Sequence, residues 1–219
     1  MYFNDRNDAG RQLAERLTSY KDQEPVVLGL PRGGVVVAYE VAKALAAPLD
    51  VVLVRKIGAP WHGELAVGAV AFIDRPRVVV NEPVRTALGV TDEYIQRVEA
   101  EKLKEIERQR ALFRAGRGPL DLHGKTAILV DDGIATGATV LAAAQAVRQS
   151  SPKRVVVAVP VAPPDAVESL KREVDEVVCL EIAADLGAIS LFYGAFTQVE
   201  DAEVVALLER ANADFAEPT

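Results

Sequence analysis

The chain has 219 residues, enough for one α/β unit with a small appendage, and 50% of them are hydrophobic, ample for a buried core. Its formal net charge of −7 disfavours nonspecific nucleic-acid binding, which relies on a basic surface. Apolar runs are only of strand length, the start Met1-Tyr2-Phe3-Asn4-Asp5-Arg6 lacks a signal peptide's apolar centre, and the lone Cys179 excludes an internal disulfide; together these predict a cytoplasmic protein with no membrane span.

Strand-like runs alternate with helical patterns, which predicts an α/β fold with a parallel sheet covered on both faces. Asp8 to Tyr20 reads as a helix, with Leu13 and Leu17 on one face. Val26 to Gly29 is a first core strand, and after the turn Pro31-Arg32-Gly33-Gly34 a helix is expected over Val35 to Ala47. Asp50 to Val54 reads as the second core strand, and Leu65 to Phe72 with Arg77 to Val80 as a hairpin across Asp74-Arg75-Pro76. Thr91 to Arg114 is a long charged helix with a narrow apolar stripe of Ile95, Val98, Leu103, Ile106 and Phe113, ended by Gly116-Arg117-Gly118-Pro119. Core strands resume at Thr126 to Val130, Arg154 to Val159 and Glu176 to Leu180. The whole chain, 1–219, reads as one domain with a helical arm inserted at about 91–116. Cys179 sits in an apolar run as a core thiol, and His123 falls in a turn at the sheet end opposite the strand termini that carry the chemistry.

The most informative run is Ala127 to Thr139. An apolar strand ends in two carboxylates, Asp131 and Asp132; a loop of small and hydroxyl residues follows, and then the helix-forming Val140 to Arg148. At the carboxyl end of a parallel strand such a loop turns backbone N–H groups toward the positive end of the next helix, an anion cradle. Gly137 permits close backbone approach, and Thr136 and Thr139 add hydroxyl donors. Paired carboxylates beside such a cradle suit a ligand with both a phosphate and sugar hydroxyls.

This stretch closely resembles the signature of the type I phosphoribosyltransferases: a strand, two acids, three variable residues, then Thr-Gly-small-Thr. The resemblance implies a Rossmann-like sheet flanked by helices, with a small hood at about 181–199, and binding of phosphoribosyl pyrophosphate (PRPP). Ala135, Thr136, Gly137, Ala138 and Thr139 would wrap the 5′-phosphate, and Asp131 and Asp132 would hold the ribose. Ala135 stands where hypoxanthine- and guanine-using members carry an Asp, so the loop is closer to the adenine type. Arg32, Gly33 and Gly34 look like the pyrophosphate loop, with Arg55 and Lys56 on the same side; Asp131, Asp132 and Lys56 form the implied catalytic set. Trp61 to Val70 occupies the place of the family's flexible lid, with Trp61, His62 and Glu64 as candidates there, and Phe192 or Tyr193 in the hood could stack on a base. Mg²⁺ is the implied cofactor, bound mainly through PRPP and by Asp131 and Asp132 through water. The expected partners are PRPP and a small heterocyclic base, with no membrane or nucleic acid and with a homodimer as an open option. The alternative is a regulator of the same fold that binds PRPP or a nucleotide without turnover. A phosphohydrolase with Asp131 as nucleophile fits less well, because its acids would be one residue apart rather than adjacent.

Overall fold

Strands with no polar face form the centre of the molecule. The computed structural model describes residues 2–115, 117–118 and 120–215, with the side chains of 62–64 and 214–215 outside that description. The elements run α1 (Arg6–Leu17), β1 (Pro25–Gly29), α2 (Gly33–Leu45), β2 (Leu49–Val51), β3 (Leu53–Ala59), β4 (His62–Phe72), β5 (Pro76–Val80), α3 (Glu82–Ala87), α4 (Asp92–Phe113), β6 (Thr126–Val130), α5 (Ala138–Arg148), β7 (Arg154–Ala162), α6 (Pro164–Lys171), β8 (Glu176–Ile182) and α7 (Asp201–Phe215). Every residue of β1 and β6 is buried, as expected of strands covered on both faces. They lie within a five-stranded parallel sheet in the order β2-β1-β6-β7-β8.

Alternation along these strands divides the core. Val27, Ile128 and Val156 pack with Leu13 and Leu17 of α1, Val37 and Val41 of α2, and Val204 and Leu208 of α7. Val26, Leu28, Leu129 and Val157 pack on the other side with Ala143 and Val147 of α5 and Val167 and Leu170 of α6. Each such fully buried Val, Leu or Ile side chain contributes about 1.5–3 kcal/mol of hydrophobic stabilisation.

The run Asp50 to Val54 corrects the expectation of a single second strand. Leu49–Val51 pairs with β1, but from Leu53 the chain leaves the central sheet and pairs antiparallel with β4. β3, β4 and β5 make a separate three-stranded sheet. The divergence is pinned by Asp50, which is buried at the edge of the central sheet against Arg114 (Oδ2–Nη2 3.0 Å) and Arg117 (Oδ1–Nη1 3.9 Å). Those guanidiniums also donate to the carbonyls of Ile73 (2.5 Å), at the end of β4, and Leu208 (2.5 Å), in α7. The hairpin turns at Asp74-Arg75 as expected, although β4 begins at His62 rather than Leu65.

The long charged helix is α4. Thr91 caps it by accepting from Tyr94 N (3.3 Å), and Ile95, Ile106 and Phe113 are its buried face. Tyr94 Oη donates to the Gly58 carbonyl (2.9 Å), and the helix packs against β3. Of the residues expected to end it, Gly116 and Pro119 lie outside the described residues. α3, α6 and α7 are additional to the sequence reading. His123 sits in a turn ahead of β6, and among the described residues no helix is long and apolar enough to cross a membrane.

Candidate functional site

Gly29 and Val130 are register partners at the carboxyl ends of β1 and β6. After β1 the chain enters α2 on one face of the sheet, and after β6 it enters α5 on the other. Loops that part in this way open a crevice, the usual ligand site of parallel sheets.

Asp131 and Asp132 begin the β6 loop directly against the start of α2. A Cβ on Gly33 would collide with Asp132 Oδ2, and one on Gly34 would lie 2.8 Å from Asp131 Oδ1. The paired glycines therefore let the helix N-terminus, with its positive end, touch both carboxylates. The two acids are treated differently. Asp132 Oδ2 is 2.7 Å from Arg6 Nε, with both side chains under 15% exposed. Burial and the neighbouring charge of Asp132 push the Asp131 carboxyl well above the usual carboxylate range.

The cradle follows. Gly137 caps α5 with φ +80°, a conformation that favours glycine, and its carbonyl accepts from Leu141 N (2.8 Å). The Ile134 N–H donates to Val161 O (2.9 Å), and Ile189 packs where a Cβ on Gly133 would stand, 2.6 Å away. The loop is thus fixed from β7 and from the hood, while Ala135 and Thr136 remain exposed and Gly137 to Thr139 half-buried. The first N–H groups of α5 have no intrahelical acceptor by construction. A cavity of about 150 Å³ is lined by Asp131, Gly133 to Gly137, Thr139, Val140 and, from the second sheet, Lys56.

Other expected residues are placed differently. Arg55 and Lys56 part company: Lys56 lines the cradle cavity, whereas Arg55 is held by α4 through Glu105 (3.2 Å) and Gln109 (2.5 Å). Adjacent strand residues point to opposite faces, which the dipeptide alone does not reveal. Arg32 follows a cis peptide at Pro31, and its half-exposed guanidinium lies 3.7 Å from Asp201 at the start of α7. The expected lid loop is a hairpin: β4 pairs from His62 onward, because Ala66, Gly68 and Ala69 find partners on β3. Trp61 stands at its tip, 82% exposed, and the side chains of His62 and Glu64 lie outside the described residues. Tyr193 corrects a further expectation. It is buried, not a stacking surface: its ring packs on Phe3 and Phe196, and its hydroxyl donates to the Asp132 carbonyl (2.5 Å). Phe192 is half-buried beside it. Cys179 is pushed up to about 11 by burial and is no nucleophile at neutral pH.

Arg6 is the site residue that sequence reasoning misses. It lies 126 residues from Asp132 and looks in sequence like any charged residue at the start of a helix.

The family model for the phosphoribosyl transferase domain matches residues 4–191, which take in the acids, the cradle, Lys56 and Arg6. The chain belongs to this family. A Mycobacterium tuberculosis (strain ATCC 25618 / H37Rv) protein with the provisional name phosphoribosyl transferase Rv0571c is 50% identical over 216 residues, covering 98% of this chain and 48% of that protein. MT0597 of strain CDC 1551 / Oshkosh matches to the same extent. The chain thus spans about half the length of the curated relatives it matches. The crystal structure of TT1426 from Thermus thermophilus is 45% identical, with a TM-score of 0.86 over 96% of this chain and 99% of that one. The two chains share the fold described above along nearly their whole lengths.

Proposed function

We propose that this chain transfers the 5-phosphoribosyl group of PRPP to a ring nitrogen of a nucleobase or related heterocycle, releasing pyrophosphate. The reading rests chiefly on one observation: Asp131, the anion cradle and Lys56 border a single cavity beside the carboxyl end of β6, with Asp132 next in the chain to Asp131. The cradle takes the 5′-phosphate through the N–H groups of Ala135 to Thr139 and the hydroxyls of Thr136 and Thr139. Asp131 and Asp132 take the ribose hydroxyls and steady the positive charge that develops at C1 as pyrophosphate departs. Lys56 stabilises the leaving group, and Arg32 does so once it exchanges Asp201 for phosphate oxygens.

Mg²⁺ fits as a companion of the substrate. Among the described residues no cluster of three or more His, Cys, Asp or Glu forms a cation cage, so most of its ligands would be PRPP oxygens and water, with Asp131 and Asp132 reached through water. When bound it neutralises pyrophosphate charge. Ala135 cannot exchange a proton with the acceptor, so the acceptor's proton goes to another base or to solvent.

Incubation of the protein with PRPP, Mg²⁺ and a panel of heterocycles, read by pyrophosphate release, tests the proposal. Base-dependent release is expected. Tight PRPP binding without release by any base would favour the non-catalytic regulator instead.

A further inference from the structure

Arg6 enters the site from the opposite end of the chain and is locked on three sides. Its Nε meets Asp132 Oδ2 at 2.7 Å, its Nη1 donates to the Thr197 carbonyl at 2.8 Å, and its Cζ lies 3.8 Å from the centre of the Phe196 ring. It opens α1, whose N-cap Asp5 accepts from Asp8 N at 2.7 Å, so its backbone is anchored as well. The hood is tied to the same segment, since Phe3 bridges to Tyr193 and Gly194 N donates to Phe3 O (2.8 Å).

Each acid is gripped by the protein through a named oxygen. Asp132 Oδ2 carries the Arg6 bond and abuts Gly33, and Asp131 Oδ1 accepts from Asp132 N at 2.9 Å and abuts Gly34. The two side chains also hydrogen-bond each other, and a vicinal diol needs two acceptors, which the pair can offer together only while Asp132 is held in place. We propose that Arg6 is a positioning residue of the phosphoribosyl site: it fixes the Asp132 carboxylate by one oxygen so that the other reads a ribose hydroxyl. This rests on the reading above that the acid pair binds the ribose. Arg6 also ties that orientation to the hood, because Tyr193 grips the Asp132 carbonyl and Phe196 covers the guanidinium. A lysine could keep the charge but not the fork that joins Asp132 to Thr197.

The test compares ribose 5-phosphate with 2-deoxyribose 5-phosphate by calorimetry on the wild type, Arg6→Gln and Arg6→Lys, with thermal melting to check folding. A hydrogen bond to a charged group supports discrimination of about tenfold or more, so the wild type should prefer the ribose form by that factor. In Arg6→Gln the preference should fall to within about twofold, mostly through weaker binding of the ribose form, with Arg6→Lys between the two. Equal losses for both sugars, or full discrimination in both variants, would overturn the role of Arg6. Should Arg6→Gln fail to melt cooperatively, undiminished discrimination in Arg6→Lys would overturn it alone. A wild type that binds ribose 5-phosphate without preferring it would instead overturn the ribose reading of the acid pair and leave the Arg6 contact purely architectural.

Discussion

Two adjacent carboxylates repel each other, and this site resolves the repulsion by giving them unlike surroundings. Asp132 is paired with Arg6, while Asp131 is held protonated over a wider pH range by burial and by the charge of Asp132. Between its raised value and the unfolded value of about 3.9, the native state binds a proton that the unfolded state lacks. Stability therefore rises as pH falls through that window, and at higher pH the ionised Asp131 is a cost to the fold. Asp131→Asn removes that cost, so the variant should melt above the wild type at neutral pH, with the gap closing on acidification, while phosphoribosyl transfer is lost. A lower melting temperature at neutral pH would contradict the assignment. Gly33 gives a second prediction at this scale. A methyl there would collide with Asp132 Oδ2 and stand 2.8 Å from Arg6 Nε. Gly33→Ala should cost about 1–3 kcal/mol in urea unfolding, as overpacking does, and should weaken PRPP binding measured by calorimetry. Unchanged PRPP affinity would show that the acid pair tolerates displacement.

Among the elements, the cradle is the easiest to read, because strand, acids, loop and helix are contiguous and each carries a local signal. β1, β6 and β7 are legible for the same reason, their residues being apolar on both faces. The path from β2 into β3 is not, since Asp50 to Val54 is one largely apolar run whose change of sheet depends on Arg114 and Arg117 far along the chain. The tip of the β3–β4 hairpin reads in sequence as a loop, and it carries Trp61, the only tryptophan, in the open. If this hairpin closes over the reacting pair to exclude water, Trp61 should report it. Its fluorescence should shift to the blue with PRPP, Mg²⁺ and a base analogue together, and much less with PRPP alone. A spectrum indifferent to every combination of ligands would remove the hairpin from the closing machinery.

For the molecule as a whole, the site depends on holding two sheets together, because the acids and cradle belong to the parallel sheet and Lys56 to the antiparallel one. The Asp50 cluster supplies a long-range tie between them, and the contact of Arg6 with Asp132 and the hood ties the acids to the N-terminal helix. Neither announces itself in sequence: a lone Arg6 or Asp50 reads as an ordinary charged residue until its partner is seen. Asp50 joins β2 to Arg114 and Arg117, which in turn hold the end of β4 and α7. Asp50→Asn would leave two largely buried guanidiniums facing an uncharged amide. Breaking a buried ion pair from one side costs about 3–5 kcal/mol, so urea unfolding should show a loss of that order. Because β3 departs from the central sheet beside this cluster, Lys56 should lose its fixed place over the cradle, and PRPP affinity should fall in the fraction that remains folded. A loss well under about 1 kcal/mol would mean that apolar packing of α4 and α5, not the Asp50 cluster, holds the second sheet against the first.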